Sequence, residues 1–335
     1  MAGSGRFMPP GRAEGKGDTM ARAFWRGTTL AIVAGLALSL VGCSQFGKLQ
    51  AKRAFKDANV QYAQQEYKRA AKLYEDAVAA DPEMATAYFY LANSYDNMYK
   101  PARKGEKEND EYLAKAVDNY KKAADKETDP KYRKLALEFL ASAYGADKLN
   151  DPGQARSIWE RMIQIDPSEP TNYFQLSKIY EDAGEYDKAE ETLVKARDAR
   201  PNSPDVYLWM AGFYNRQEEF DKTIEAYNKR AELDPKNPES FYTIGAFYWD
   251  KAFRDFRLKE AEKKDFVMKG IAMMDKSLAI KPDYMEALTM KNILLRMQAN
   301  TEKDVAKQQA LIKEADKLRD YAMDLKKKKV SGVAK

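Results

Sequence analysis

Apolar residues recur three or four positions apart along most of this 335-residue chain, a spacing typical of amphipathic helices that bury one face. The stretch PTNYFQLSKIYEDAGEYDKAEETLVKARDARP, residues 170–201, contains two such helices in succession. Gly184 between them suits the left-handed turn that ends a helix, and Pro201 cannot continue the second helix. Because no strand-like alternation of comparable length occurs, the pattern predicts an all-α protein.

The helical pairs recur at a regular interval. Pro167, Pro201 and Pro235 follow one another at 34-residue intervals, each after an apolar helix end. A fixed period in this range indicates a repeat protein, in which each unit packs on its neighbours. Uneven copies account for residues 51–284, with polar insertions at 100–111 and 250–265, and a further first helix is predicted over 283–299.

Large and small residues alternate within each copy. In residues 170–201 this pattern comprises Leu176, Ser177, Tyr180, Tyr186, Ala189, Leu193 and Ala196. Small residues let two helices approach closely, and aromatic residues fill the space between them. The pattern resembles the tetratricopeptide repeat (TPR), which implies an all-α, right-handed TPR solenoid of about six to seven helix-turn-helix repeats over residues 51–300.

A last helix is predicted over residues 301–329. Its apolar residues form one seam: Leu311, Ala315, Leu318, Ala322 and Leu325. Thr301 and Asp304 have the spacing of a capping box at its start. We expect this long C-terminal helix to cap the terminal repeat, while a coiled-coil partner is the alternative use of the seam. A flexible tail is predicted over 330–335.

The N-terminal 42 residues have the pattern of a signal peptide. The uncharged run from Thr28 to Gly42 is shorter than the ~20 residues that a spanning helix needs, and it follows Arg22 and Arg26. Translation could start at Met20 instead of Met1, because MARAFWRGTT begins a compact signal peptide.

Leu40, Val41, Gly42 and Cys43 resemble a bacterial lipobox. The resemblance implies cleavage before Cys43 and acylation of this residue, which would anchor the chain to a membrane through residues 43–50 as a linker. Ser44 replaces the Asp associated with retention in the inner membrane. In a host with two membranes, the outer membrane (periplasmic side) is therefore the expected location.

Composition argues against most kinds of catalysis. The chain has no histidine and Cys43 is its one cysteine, so the usual general base and the common zinc ligands are missing. No phosphate-binding glycine motif is present. We therefore expect no enzyme, metal site or cofactor.

Charge argues against nucleic-acid binding. Residues 1–42 hold 5 of the 57 Lys and Arg and 2 of the 52 Asp and Glu, which leaves 52 and 50 in the rest. A nucleic-acid binder shows a clustered basic face instead. The run Lys326–Lys329 is the local exception: it is interpreted as a solvated helix end, with contact to an anionic lipid or glycan surface as the alternative.

The TPR resemblance also implies which residues face the groove of the solenoid. Carried over to this sequence, the partner-binding candidates are Phe89, Tyr90, Asn93, Phe174, Lys178, Leu208, Trp209, Asn215, Arg216, Tyr242 and Trp249. Aromatic, amide and basic groups together suit a bound peptide, although the same rings could serve only as core. The sequence thus predicts a membrane-anchored protein-interaction scaffold of the bacterial cell envelope, and the alternative is a glycan- or small-ligand-binding lipoprotein.

Overall fold

The computed structural model describes residues 45–331. The predicted signal peptide, Cys43 and residues 332–335 of the predicted tail lie outside the described residues. Within this range there are fourteen α-helices, one 3-10 turn at Pro101–Arg103 and no strand. The helices are α1 (45–63), α2 (Tyr67–Ala80), α3 (Ala85–Met98), α4 (Lys107–Lys126), α5 (Pro130–Ala143), α6 (Pro152–Ile165), α7 (Pro170–Asp182), α8 (Tyr186–Ala199), α9 (Pro204–Arg216), α10 (Phe220–Leu233), α11 (Pro238–Arg254), α12 (Glu260–Ile280), α13 (Met285–Thr301) and α14 (Val305–Val330).

The chain divides into two compact units after Asp151. Unit 1 contains α1–α5, and unit 2 contains α6–α14. In both units consecutive helices pack together, and alternate helices also meet: α3 contacts α5 in unit 1, while α7 contacts α9 and α11 contacts α13 in unit 2. This is the predicted all-α arrangement of helical hairpins. Within residues 45–331, no helix is both long and apolar enough to span a membrane.

Turns between the two helices of a hairpin use left-handed backbone conformations. Gly184 has φ of 74° between α7 and α8, as the sequence predicts. Gln65, between α1 and α2, and Glu218, between α9 and α10, take the same conformation, with φ of 61° and 59°. Neither Gln nor Glu favours this region, so these two turns adopt it without glycine. Asn150, between α5 and α6, also has a positive φ, of 54°.

The first helix begins earlier than the sequence suggests. Residues 43–50 were expected to form a linker, but α1 already starts at residue 45. The segment has no proline, and its first turn approaches α2 closely: a Cβ on Gly47 would lie 2.7 Å from the carbonyl oxygen of Ala80. Glycine therefore permits a helix–helix contact where a flexible segment was expected.

Helix α14 packs on α13, as expected for a cap. Ala315 and Ala322 of its seam are buried. Its start differs from the predicted capping box. Thr301 ends α13 and donates to the carbonyl oxygen of Gln298, whereas Asp304 is itself the N-cap and accepts from the backbone N–H of Lys307 at 3.1 Å. A single Asp N-cap performs the role that was assigned to a pair of residues.

Glycines bring α11, α12 and α13 close together. A Cβ on Gly245 would lie 2.3 Å from Met274 Cε and 3.0 Å from the Gly270 carbonyl oxygen. A Cβ on Gly270 would lie 3.1 Å from a methyl carbon of Leu294. The 2.3 Å contact involves the flexible end of Met274, whereas the 3.0 Å contact with the Gly270 backbone leaves little room for adjustment, so a side chain at position 245 would push α11 and α12 apart.

We predict that Gly245→Ala lowers the free energy of unfolding by about 1–3 kcal/mol, because the added methyl group overpacks the α11–α12 contact. Gly212→Ala is the matched control within α9. Its Cβ would meet only the end of Arg216 at 3.3 Å, so the better helix propensity of alanine should raise stability by about 0.5–1 kcal/mol. Urea unfolding checks both; equal effects of the two substitutions would contradict the packing argument.

Candidate functional site

Asn93, a predicted binding residue of unit 1, is buried within a hydrogen-bond network. Its Oδ1 accepts from the Tyr62 hydroxyl and from Asn97 Nδ2 at 2.8 Å, and its Nδ2 donates to the Tyr120 hydroxyl at 3.3 Å. Asp96 continues the network: it accepts from the Tyr120 hydroxyl at 3.4 Å. The Asn93 amide thus links α1, α3 and α4, and a partner would have to replace these bonds.

Phe89 and Tyr90 pack between the helices of unit 1, and their rings meet edge-on with centroids 5.3 Å apart. Phe89 meets Phe139 edge-on with ring centroids 5.5 Å apart. Tyr90 stacks on Tyr74 at 5.9 Å and meets Phe55 edge-on at 5.8 Å. Both rings are partly buried, and these contacts favour the packing interpretation that the sequence left open.

Phe174 of α7 and Trp209 of α9 stack on each other in unit 2. Their centroids are 4.6 Å apart and their planes differ by 19°. Such a pair adds about 0.5–1.5 kcal/mol beyond the burial of its area. Leu208 is partly buried against the same core. The pair therefore ties two successive hairpins together and leaves part of each ring accessible.

Lys178 and Arg216, expected to contact a partner, both bind Glu181. The Arg216 guanidinium donates to both carboxylate oxygens, at 2.5 and 3.0 Å, and Lys178 Nζ donates at 2.9 Å. The Glu181 side chain is only 9% exposed. Burial alone would raise the pKa of Glu181, but the hydrogen bonds from Arg216 and Lys178 hold that pKa below its usual range. Both predicted binding cations are thus already engaged by Glu181, and Lys178 Nζ also lies 3.7 Å from the Asp182 carboxylate.

Asn215 and Trp249, two further candidates of unit 2, take no part in the ion cluster around Glu181. Asn215 is exposed beside a surface pocket of about 570 Å³ that also includes Phe256. Trp249 stacks on Phe253 at 5.5 Å. The Trp249 Nε1 atom is buried and has no hydrogen-bond partner among residues 45–331. The α11 extension that carries Phe253 corresponds to the insertion predicted at 250–265.

Tyr242 lies in a cleft between α11, α13 and α14 with a volume of about 650 Å³. Its apolar lining comprises Tyr242, Met285, Met290, Ala322, Met323 and Val330. Its polar lining comprises Glu286, Thr289, Asn292, Arg319, Lys326 and Lys329. We call this site the C-terminal cleft. It combines an apolar floor with a mainly cationic rim, and its volume lies within the range of ligand-binding pockets.

Sequence reasoning found Tyr242 but missed the rest of the C-terminal cleft. Met285 lies on α13 and Met323 on α14. In α14 the apolar spacing predicts only the buried seam and gives no indication of a cleft. A signal was available in the methionines and in the run Lys326–Lys329. Lys328 pairs with Asp324 at 2.8 Å, whereas Lys326 and Lys329 line the cleft.

Metal binding and acid–base chemistry receive no support from the described part of the chain. Residues 45–331 contain no group of three His, Cys, Asp or Glu that could hold a metal ion. Glu190, like Glu181, has its pKa lowered: burial opposes this change, but hydrogen bonds from Lys222 and Tyr214 prevail. Such carboxylates are held in the charged state, which is unsuited to a general acid.

Two family models match parts of the chain. One described as tetratricopeptide repeat matches residues 148–211, which include α6, α7 and α8. Another, described as FAT domain, matches residues 33–141, and its described part consists of the hairpins of unit 1. Each match covers less than half of the chain. No curated protein matches the sequence.

Two solved structures resemble the chain at low sequence identity. The C-terminal part of a TPR repeat-containing protein from Cytophaga hutchinsonii is 18% identical, with 81% of this chain and 98% of that chain covered and a TM-score of 0.52. A tetratricopeptide repeat protein from Parabacteroides merdae is 13% identical, with 80% and 99% covered and a TM-score of 0.43. The first establishes the fold as an array of helical hairpins. The tetratricopeptide-repeat model matches residues 148–211 within this array, and the fold resembles that of TPR proteins.

We predict that Glu181→Gln lowers the free energy of unfolding by about 1 kcal/mol at pH 7, because two cations lose their counter-ion and remain partly solvated. The folded-state pKa of Glu181 lies below its unfolded value. Its contribution is therefore complete above about pH 4.5 and is lost as pH falls through the folded-state pKa. The difference from the wild type should shrink below about pH 4.

Urea unfolding at several pH values measures this difference. Glu191→Gln is the control, since the Glu191–Lys195 pair is exposed on both sides and its loss should leave stability unchanged. A difference for Glu181→Gln that stays constant from neutral to acidic pH would contradict the charge argument.

Proposed function

We propose that this TPR protein is a lipid-anchored interaction scaffold of the bacterial cell envelope. Its partner is a protein segment, bound by the first helices of the hairpins, and the C-terminal cleft is the principal contact. Among the predicted groove residues within residues 45–331, only Tyr242 lies beside both an open apolar floor and unpaired cations, which are Lys326 and Lys329. The C-terminal cleft carries the proposal for this reason. The acylated Cys43 of the proposal would keep the array at a membrane surface.

The lining of the cleft indicates the chemistry of the partner. Methionine side chains are flexible and polarisable, so they adapt to apolar side chains of varied shape. An amphipathic helix would place its apolar face on Met285, Met290 and Met323. Lys326 and Lys329 at the rim would pair with acidic residues of that helix. Charges at the rim of an interface mainly increase the rate of association with the partner.

The glycan alternative has weaker support. Sugar rings stack on free aromatic faces, but Phe174 and Trp209 cover one face of each other. Trp249 and Phe253 do the same. Lys178 and Arg216, the cations among the groove candidates, are paired with Glu181, so neither is free to bind a sugar hydroxyl.

We predict that a photoreactive phenylalanine analogue at Tyr242 forms a discrete protein adduct in cells. Met323→Asp should reduce this adduct by about tenfold, because a charge in the floor of the cleft opposes burial of the partner's apolar face. Met323 is 52% exposed, so the substitution leaves the fold intact. Adducts are measured by gel mobility and mass spectrometry.

A probe at Ala272 is the matched control, since it lies exposed on α12 outside the cleft. The same adduct from Ala272, or an adduct that persists in Met323→Asp, would contradict the cleft as the partner site. Adducts with wall glycan alone would favour the alternative function.

We predict that Cys43→Ala abolishes labelling by radioactive palmitate and releases the protein from membranes washed in about 1 M NaCl, which also screens charge-mediated membrane contacts. Several acyl chains anchor stably because each buried CH₂ contributes about 0.8 kcal/mol. Met323→Asp serves as the control, since it should leave labelling and membrane association unchanged. Palmitate incorporation into Cys43→Ala would rule out this residue as the acylation site.

A further inference from the structure

The outward face of α1 combines exposed apolar residues with cations. Ala51 and Ala58 are fully buried and mark the inward face of the helix. Directly opposite, at intervals of three and four residues, lie Phe46, Leu49, Arg53, Lys56 and Val60. Phe46 is 71% exposed, Leu49 67% and Val60 50%. A single exposed apolar side chain is normal on a protein surface, but three on one helix face form a patch that indicates an interaction site.

The charges of this segment are strongly one-sided. Residues 45–60 contain four cations and one carboxylate: Lys48, Lys52, Arg53, Lys56 and Asp57. Within the described residues these four cations form no ion pair and donate no side-chain hydrogen bond, unlike most of the cations of unit 2. The face therefore presents uncompensated positive charge beside apolar side chains.

We propose that the outward face of α1 binds the surface of an anionic phospholipid membrane. Phe46 and Leu49 enter the boundary between headgroups and acyl chains, and the lysines and Arg53 contact lipid phosphates. An interfacial helix buries its apolar face by about 5–10 Å, a depth that side chains in the first two turns of α1 can reach. Clustered cations beside apolar residues favour anionic lipids.

This contact is distinct from the partner site of the C-terminal cleft and does not require acylation. It lies two residues after Cys43, so an acyl anchor and the α1 face would act on the same membrane. The acyl chains would supply the stable anchorage, and the polybasic α1 face would add a second, salt-sensitive contact with the same membrane. Because this face lies opposite the buried Ala51 and Ala58, the contact would also orient α1 on the membrane.

Vesicle binding by the chain from Ser44 tests the proposal without the anchor. This chain retains all fourteen described helices. We expect it to sediment with vesicles of phosphatidylcholine mixed with phosphatidylglycerol but not with phosphatidylcholine alone. Raising NaCl from about 0.1 M to about 1 M, which shortens the Debye length from ~10 Å to ~3 Å, should release it. The double variant Phe46→Ser/Leu49→Ser should bind at least about tenfold more weakly.

A matched control exists in unit 2. Phe253 and Phe256 are 65% and 87% exposed and lie beside Arg254 and Arg257, but these arginines pair with Asp250 and Asp255 at 2.7 and 2.8 Å. Phe253→Ser/Phe256→Ser should therefore leave vesicle binding unchanged. Circular dichroism of both double variants confirms that they remain folded.

Because the chain from Ser44 has no cysteine, a polarity-sensitive fluorophore can be attached to Leu49→Cys. Its emission should shift to the blue with anionic vesicles, whereas the same label on Phe253→Cys should not shift. Three outcomes would overturn the proposal: no binding to anionic vesicles, binding that survives Phe46→Ser/Leu49→Ser, or a dimer in sedimentation that this variant abolishes. The last would assign the face to a second copy of the chain.

Discussion

Close approach of helices through small residues is the constraint on which this structure depends. Ala70, Ala77, Ala189 and Ala196 are fully buried where the two helices of a hairpin meet, and Gly245 faces Gly270 with no space for a Cβ. Alanine itself buries little surface, so most of the hydrophobic stabilisation comes from large residues between the small ones, such as Tyr74 and Tyr120. The small residues set the spacing, and the spacing decides which aromatic rings are enclosed.

This dependence explains how much of the fold could be predicted. Spacing of large and small residues is a local property, so the hairpins, the turn at Gly184 and the capping role of α14 could be predicted from single stretches. The start of α1 could not, because Gly47 meets Ala80 across a hairpin, and a lone glycine in a polar segment equally indicates a loop. The use of Asp304 without Thr301 as a cap depends on where α13 ends, which sequence fixes only to within a residue or two.

The candidate site was less predictable for a physical reason. A groove position specifies the direction of a side chain but not what other helices place beside it. Asn93 points inward as expected, yet Tyr62 and Tyr120 reach it from α1 and α4 and satisfy its amide. Tyr242 lines the C-terminal cleft, although its ring also lies 5.5 Å from that of Tyr284, and α13 and α14 supply the methionine and lysine residues of the cleft walls. Both residues match the repeat pattern equally well, and only the neighbouring helices distinguish a packed position from an accessible one.

The pairing of cations separates structural charge from charge available for binding. Lys178 and Arg216 share Glu181, so another anion would have to displace a carboxylate that is already largely desolvated. Lys326 and Lys329 beside the C-terminal cleft, and the cations of α1, have no such competitor among residues 45–331. The two surfaces use similar side chains but differ in their walls: the cleft lies between three helices, whereas the α1 face is lined, among the described residues, by α1 alone. A peptide buries its side chains between helix walls, whereas a membrane surface suits a single helix face that carries apolar residues and cations. The same side-chain chemistry therefore points to two different kinds of partner, and the number of helices that form the walls distinguishes them.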